Sequence, residues 1–355
     1  MLYFVLTTGE CNLQCRYCGG SFPENEVPHT IKYDLTFLKR LIESDHEATV
    51  AFYGGEPLLN CSFIETVMDR IKAKRFVIQT NGILTEKLDK KYWNRMNAVL
   101  LSIDGAKKIT DYNRGKGTYD AVIHAAALLK ENGFSGDLIA RMAVSEQGDI
   151  LRDVSHLIDI NLFDHIHWQL DVGWSDRWND FDGWCEKNYM PGLLGLLERW
   201  SVGLEAGKVL GIVPFLGILK RLREGGPTPP CGSGSESLSI MPDGTIRACP
   251  ISFDASWASL GSLEELGRAQ LRKVGIFGEC IGCSYFPICG GRCLYFNREN
   301  LWGLAGFKKV CDITKFTIGA VSSKISKVNQ SVSKGTIRWE DIDYPKYNNS
   351  TEIIP

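Results

Sequence analysis

Between residue 2 and about residue 175 the sequence alternates six times between two kinds of segment. Short apolar runs read as strands: residues 2–8 (LYFVLTT), 48–55 (ATVAFYGG), 75–82 (RFVIQTNG), 98–105 (AVLLSIDG), 137–144 (DLIARMAV) and 164–173 (DHIHWQLDVG). The segments between them carry helical periodicity, over residues 31–44, 61–74, 85–95, 118–133 and 149–160. Strand–helix alternation of this kind predicts an α/β fold with a parallel sheet and helical crossovers. Six units closing on themselves make a partial (β/α)6 barrel, smaller than the eightfold form. An open doubly wound sheet satisfies the same alternation, and the pattern alone does not choose between them.

The pattern stops near residue 175. Residues 173–184 (GWSDRWNDFDGW) are rich in tryptophan and aspartate, and two helices are expected before residues 224–235 (EGGPTPPCGSGS), a linker by composition. A short, loop-rich region with seven cysteines follows, too small to be held by an apolar core alone, so bound metal would supply the missing crosslinks. The expected organisation is a barrel core over 1–175, a helical bridge over 176–228, a cysteine-rich domain over 229–329 and a polar tail over 330–355. With 40 basic against 42 acidic residues, there is no basic stripe for a nucleic acid. The longest apolar run, VLGIVPFLGIL, is interrupted by Pro214 and too short to span a bilayer. The N-terminus lacks the features of a secretory signal, so a cytoplasmic location is expected.

Ten of the 12 cysteines fall in two clusters, and in a reducing compartment clustered thiols are read as metal ligands before disulfides. The first cluster is Cys11, Cys15 and Cys18, in the loop after the first strand, at the edge where parallel sheets place their active sites. Zinc usually takes four ligands. Three thiolates suit an iron-sulfur cluster with one iron left open.

The spacing CxxxCxxC, with Tyr17 before its last cysteine, resembles the radical S-adenosylmethionine (radical SAM) family. Three further motifs agree in order: YGGEP (Tyr53, Gly54, Gly55, Glu56, Pro57), TNG beginning Thr80-Asn81, and SIDG containing Ser102 and Asp104. The resemblance implies that YGGEP holds the amino group of S-adenosylmethionine, with the other two motifs near its ribose and carboxylate. It further implies that one electron from a 4Fe-4S cluster cleaves S-adenosylmethionine to methionine and a 5′-deoxyadenosyl radical, which abstracts hydrogen from a substrate. Arg114 resembles an arginine found in this family's fourth loop. Arg141 stands amid apolar neighbours and needs an anionic partner, either the cofactor carboxylate or a structural acid. In the sixth strand, alternation puts His165, His167, Gln169 and Asp171 on the lumen side and Ile166, Trp168, Leu170 and Val172 against the helices.

The second cluster resembles the SPASM domain of peptide-modifying members, matching all seven of its cysteine positions. Carried over, Cys280, Cys283, Cys289 and Cys311 hold an outer auxiliary 4Fe-4S cluster, and Cys231, Cys249 and Cys293 an inner one. That makes three 4Fe-4S clusters in all. The inner cluster is one ligand short, and Cys185, Cys61, Glu236, solvent or the substrate are open as the fourth. A zinc ribbon explains four of these cysteines but neither the other three nor the N-terminal trio. The resemblance implies a peptide or protein substrate modified by crosslinking, epimerisation or oxidation, and a reducing partner such as ferredoxin or flavodoxin. A small-molecule substrate, and an electron-transfer scaffold that does not cleave the cofactor, are the alternatives. Sulfatase maturases carry an aspartate after the second SPASM cysteine. Here Pro250 follows Cys249, which leaves Asp171 or Asp243 as candidate bases. No leader-binding segment precedes the first strand, so a leader is expected to be read elsewhere or by a partner.

Overall fold

The computed structural model describes residues 1–173, 178–226, 228–265 and 271–345. Six parallel strands run β1 (Leu2–Leu6), β2 (Thr49–Tyr53), β3 (Arg75–Thr80), β4 (Ala98–Ser102), β5 (Asp137–Val144) and β6 (His165–Leu170). Each pairs with the next in chain order. The order never reverses, which excludes the doubly wound sheet and leaves the partial barrel.

Alternation along the strands separates two cores. Tyr3, Val5, Val50 and Phe52 face outward against the crossover helices, with Leu38, Leu41 and Ile42 of the helix Leu35–Glu43 packed on them. Asp34 starts that helix by accepting from the Thr36 amide at 2.8 Å, and Asp149 caps the helix Ile150–Asp159 in the same way. Phe4, Leu6, Ala51, Val77, Ala98, Leu100 and Ile139 face inward and plug the floor of the barrel.

The C-terminal region continues this sheet. Strand β7 (Ser237–Ile240) lies parallel to β1, Leu2 opposite Ser237, and β8 (Thr245–Arg247) and β9 (Ser259–Ser262) follow antiparallel. The helices Met190–Glu205 and Val213–Glu224 pack on the barrel side, and the long helix Gly303–Ser322 packs on both of them. The helix Ile325–Ser333 runs across residue 330, the expected start of the tail. Among the described residues no helix is long and apolar enough to cross a membrane.

Two local expectations need correction. Residues 85–95 do not form one helix but a 3-10 turn Thr85–Lys87 and a single helical turn Lys90–Trp93, because Asp89 caps the second by accepting from Lys91. Arg114, expected in a loop, ends the helix Lys107–Arg114, which stops at Gly115 with φ 114°. That helix has buried Ile109, Thr110, Asn113 and Arg114 on one side, a mixed face that a hydrophobic period does not reveal.

Trp168 is the largest fully buried side chain where β6 meets the helical layer, with its ring 6.0 Å from Phe215 and Nε1 donating to Tyr189 Oη at 3.2 Å. Trp168→Ala is expected to cost about 3–5 kcal/mol. The cost will be read as a lower urea midpoint with an unchanged slope.

Candidate active site

The inward positions change character toward the carboxyl ends of the strands. Above the apolar floor stand Tyr53, Gln79, Ser102, Arg141 and Gln169, and these line a cavity of about 460 Å³. Cys11, Cys15 and Cys18 form part of its wall, together with Tyr17, Gly54, Gly55, Glu56, Thr80, Asn81 and Arg114. The size is that of a small-molecule site.

The cysteine loop and the loop after β2 touch backbone to backbone. Gly55 N donates to Thr8 O at 3.0 Å and Glu56 N to Glu10 O at 2.8 Å. A Cβ at Gly54 would lie 2.3 Å from Thr8 O, and one at Gly55 would lie 2.2 Å from Glu10 O. Gly54 also has φ 141°, so both positions require glycine. Pro57 opens the turn Pro57–Asn60 behind this seat, its carbonyl accepting from Thr7 Oγ1, and does not line the cavity.

Glu56 is buried and accepts from Thr80 Oγ1 at 2.6 Å, Asn81 N at 2.7 Å and Leu58 N at 3.0 Å. Burial raises its carboxyl to about 7, and these three donors limit the rise. Asp104 lies behind the wall. It accepts from Tyr17 Oη at 3.0 Å, Arg114 Nη2 at 2.8 Å, Asn113 Nδ2 at 3.2 Å and Ala143 N at 3.0 Å. It therefore sets Tyr17 and Arg114, while Ser102 of the same motif reaches the cavity. Burial opposes the charge on Arg114, but Asp104 and Tyr17 beside it prevail and keep the guanidinium protonated. Its ring partner Tyr17 lies 5.3 Å away, and its Nε is buried without a hydrogen-bond partner.

Among the thiols, burial pushes Cys11 up to about 11, whereas the hydrogen bond with Cys15 holds Cys18 below the usual thiol range. Among the described residues no three His, Cys, Asp or Glu side chains gather on one point as a single ion requires. The donor set fits an iron-sulfur cluster and a polar cofactor beside it: three soft thiols on one wall, a glycine seat that any Cβ would fill, and a buried cation with an unused donor.

The other candidates divide. Gln169 and Asp171 line the cavity, whereas His167 is buried below it and shares a 3.3 Å contact with Gln169. His165 sits at the opposite end of β6, 2.7 Å from Asp137 and packed on Tyr344. Arg141 Nη1 donates to Met142 O at 2.6 Å. Asp243 is exposed in the β7–β8 turn, where it accepts from Thr245 N and Oγ1, and it does not reach the cavity.

Sequence reasoning missed Gln79, Phe22, Ile251 and Phe253, all on the cavity wall. Alternation from Val77 would have found Gln79. Ile251 and Phe253 come from the loop after Cys249, with Phe253 stacked edgewise on Phe22 at 5.3 Å, and no local pattern announces that meeting.

The seven C-terminal cysteines differ in burial. Cys280, Cys283, Cys289 and Cys311 are half-buried; burial first, and neighbouring thiols after it, push Cys280, Cys289 and Cys311 above the usual thiol range, and Asn297 Nδ2 lies 3.7 Å from Cys280 Sγ. Cys231, Cys249 and Cys293 are buried. Of the open fourth ligands, Cys61 donates to Leu58 O beside the β2 loop, Cys185 lies in the π-helical turn Cys185–Tyr189, and Glu236 is exposed. Residues 174–177 of the tryptophan-aspartate segment lie outside the described residues; Trp178 Nε1 donates to Asp171 O at 2.7 Å.

Residues 5–145 match the radical SAM superfamily. The chain is 24% identical over 325 residues to a cysteine-type anaerobic sulfatase-maturating enzyme of Clostridium perfringens, spanning 80% of this chain and 85% of that one. It is 27% identical over 313 residues to the mycofactocin maturase MftC of Mycolicibacterium smegmatis, spanning 81% and 76%. The fold superposes with TM-score 0.70 on native anSMEcpe with bound AdoMet and Cp18Cys peptide, at 20% identity, covering 94% of this chain and 99% of that one. Residues 5–145 thus carry a radical SAM domain, and the chain is related to anaerobic sulfatase maturases and peptide maturases. A radical SAM domain implies S-adenosylmethionine and one 4Fe-4S cluster.

Because the folded pKa of Glu56 is raised, the folded chain keeps a proton that the unfolded chain has lost. Its contribution to stability therefore falls as pH rises from the ordinary value of 4.5 toward about 7, and levels above that. Glu56→Gln is expected to gain on wild type across that window, read from paired urea melts of protein without S-adenosylmethionine. A stability difference independent of pH would contradict the assignment.

Proposed function

We propose that the enzyme modifies a peptide or protein by hydrogen abstraction from a residue held above the barrel mouth. The observation that carries this is the meeting of the Cys11–Cys15–Cys18 wall with the Gly54–Gly55–Glu56 seat in a single cavity. In this reading the three thiolates hold the 4Fe-4S cluster. When bound, that cluster supplies the electron that cleaves S-adenosylmethionine and so produces the hydrogen-abstracting radical.

The chain's own part is positioning. The backbone of the glycine seat and the Glu56 carboxylate receive the cofactor's amino group. Asn81 and Ser102 face its polar atoms, and Arg114 and Arg141 offer cations to its carboxylate. Asp104 fixes Arg114 and Tyr17, so that neither side chain must reorganise on binding. Phe22, Ile251 and Phe253 close the cavity with apolar surface, which excludes water from a radical and leaves Asp171 as the carboxylate near the substrate. Formylglycine formation as in sulfatase maturases is the second reading, and Asp171 on the cavity wall favours it, since that reaction needs a base and Pro250 cannot serve.

Residues 229–329 are proposed as the SPASM domain, with two auxiliary clusters on the cysteine groups described above. The likeness in fold to anSMEcpe supports that reading, and the Cp18Cys peptide bound in that structure supports a peptide substrate. Ferredoxin or flavodoxin in the cytoplasm is proposed as reductant.

Anaerobically reconstituted enzyme with dithionite and S-adenosylmethionine is expected to form 5′-deoxyadenosine, and Cys11→Ala to form none above background. Equal product from both would remove the enzyme reading and favour a scaffold. Co-expression with short neighbouring open reading frames is expected to give a peptide mass shift that needs Cys11. A modified metabolite with no modified peptide would overturn the substrate class.

A further inference from the structure

The segment Cys289-Gly290-Gly291-Arg292-Cys293 joins the two C-terminal cysteine groups and carries a cation at its centre. Arg292 is 6% exposed and sits in the left-handed region with φ 58°, a conformation unfavourable for a long side chain. Among the described residues no carboxylate lies within ion-pair distance of it. Its guanidinium lies 4.8 Å over the ring of Phe296, and its ionisable neighbours include the Cys289 thiol and the Tyr189 phenol. A cation–π contact is smaller than the cost of taking a guanidinium out of water. The fold therefore buries a positive charge, in a strained backbone, without an acid to balance it.

A second arginine approaches the same segment from the helix Val213–Glu224. Arg221 donates to Gly225 O at 3.3 Å and to Thr228 O, and its Nε is buried without a hydrogen-bond partner. It packs directly on the joining segment: a Cβ at Gly290 would lie 2.5 Å from its Nη2. Its ionisable neighbours include Glu236, Cys289 and Cys231, one cysteine from each group. Two cations thus converge on the segment that joins the cysteine groups.

An iron-sulfur cluster held by thiolates carries net negative charge and gains one more unit on reduction. We propose that Arg292, assisted by Arg221, is the built-in counter-charge of the two auxiliary clusters and raises their reduction potentials. This rests on the SPASM reading above. The consequence is functional: one electron arriving at either cluster is stabilised by the same pair of cations. The clusters become better acceptors for an electron released when a substrate radical is oxidised. Arg292 is a positioning residue for charge and touches no substrate.

The test is an anaerobic redox titration of the reconstituted full chain, followed by electron paramagnetic resonance, with iron content measured on the same sample. Arg292→Gln is expected to disfavour reduction of the auxiliary clusters by about tenfold, a shift of about 59 mV for a one-electron couple. Arg292→Lys should restore most of it, and the N-terminal cluster should not move. Unchanged auxiliary midpoints at full iron content overturn the proposal. If Arg292→Gln fails to keep its iron, Arg221→Gln decides in the same titration: a lowered midpoint supports the proposal and an unmoved one overturns it. Wild type that loads roughly four irons per chain rather than roughly twelve overturns the auxiliary-cluster reading itself, and this proposal with it.

Discussion

The structure depends on one close approach, in which the carbonyls of Thr8 and Glu10 meet the backbone of Gly54 and Gly55. That contact locks the loop after β1 to the loop after β2 without any side chain between them. The three N-terminal thiols and the Glu56 carboxylate then share a wall whose geometry is set by main chain. Everything chemical at the barrel mouth is hung from this seam. The Asp104 hub performs the same task on the far side, where one carboxylate orders an arginine, a tyrosine, an asparagine and a backbone amide.

The second constraint is that the C-terminal region is not an appendage. Its first strand extends the barrel sheet beside β1, the same strand that delivers the cysteine loop. The loop after β8 consequently arrives at the cavity with Ile251 and Phe253, and Phe253 meets Phe22 from the loop after β1. The cavity wall is thus assembled from both the barrel and the C-terminal region.

The parts of this architecture governed by period and spacing were legible in the sequence. The six strands follow from apolar runs, the inward set Gln169 and Asp171 from alternation, and the thiol wall and glycine seat from motif spacing. The choice of barrel over open sheet was not legible, because strand order is a tertiary property. The helix Lys107–Arg114 was missed because its buried face is polar, built to hold Asp104 company rather than to fill a core. Asp104 itself was expected at the cofactor; from sequence a carboxylate beside a strand end does not declare whether it faces the ligand or the residues that do. The same holds for Asp243, which a turn consumes.

The central claim is that three N-terminal thiolates leave one iron of the cluster without a protein ligand, ready for S-adenosylmethionine. Mössbauer spectroscopy of anaerobic enzyme carrying isotopically enriched iron, before and after S-adenosylmethionine is added, tests it most directly. The account predicts one iron site whose parameters move to those of a more highly coordinated centre on addition, with the others unchanged. Iron sites that all ignore S-adenosylmethionine would contradict it.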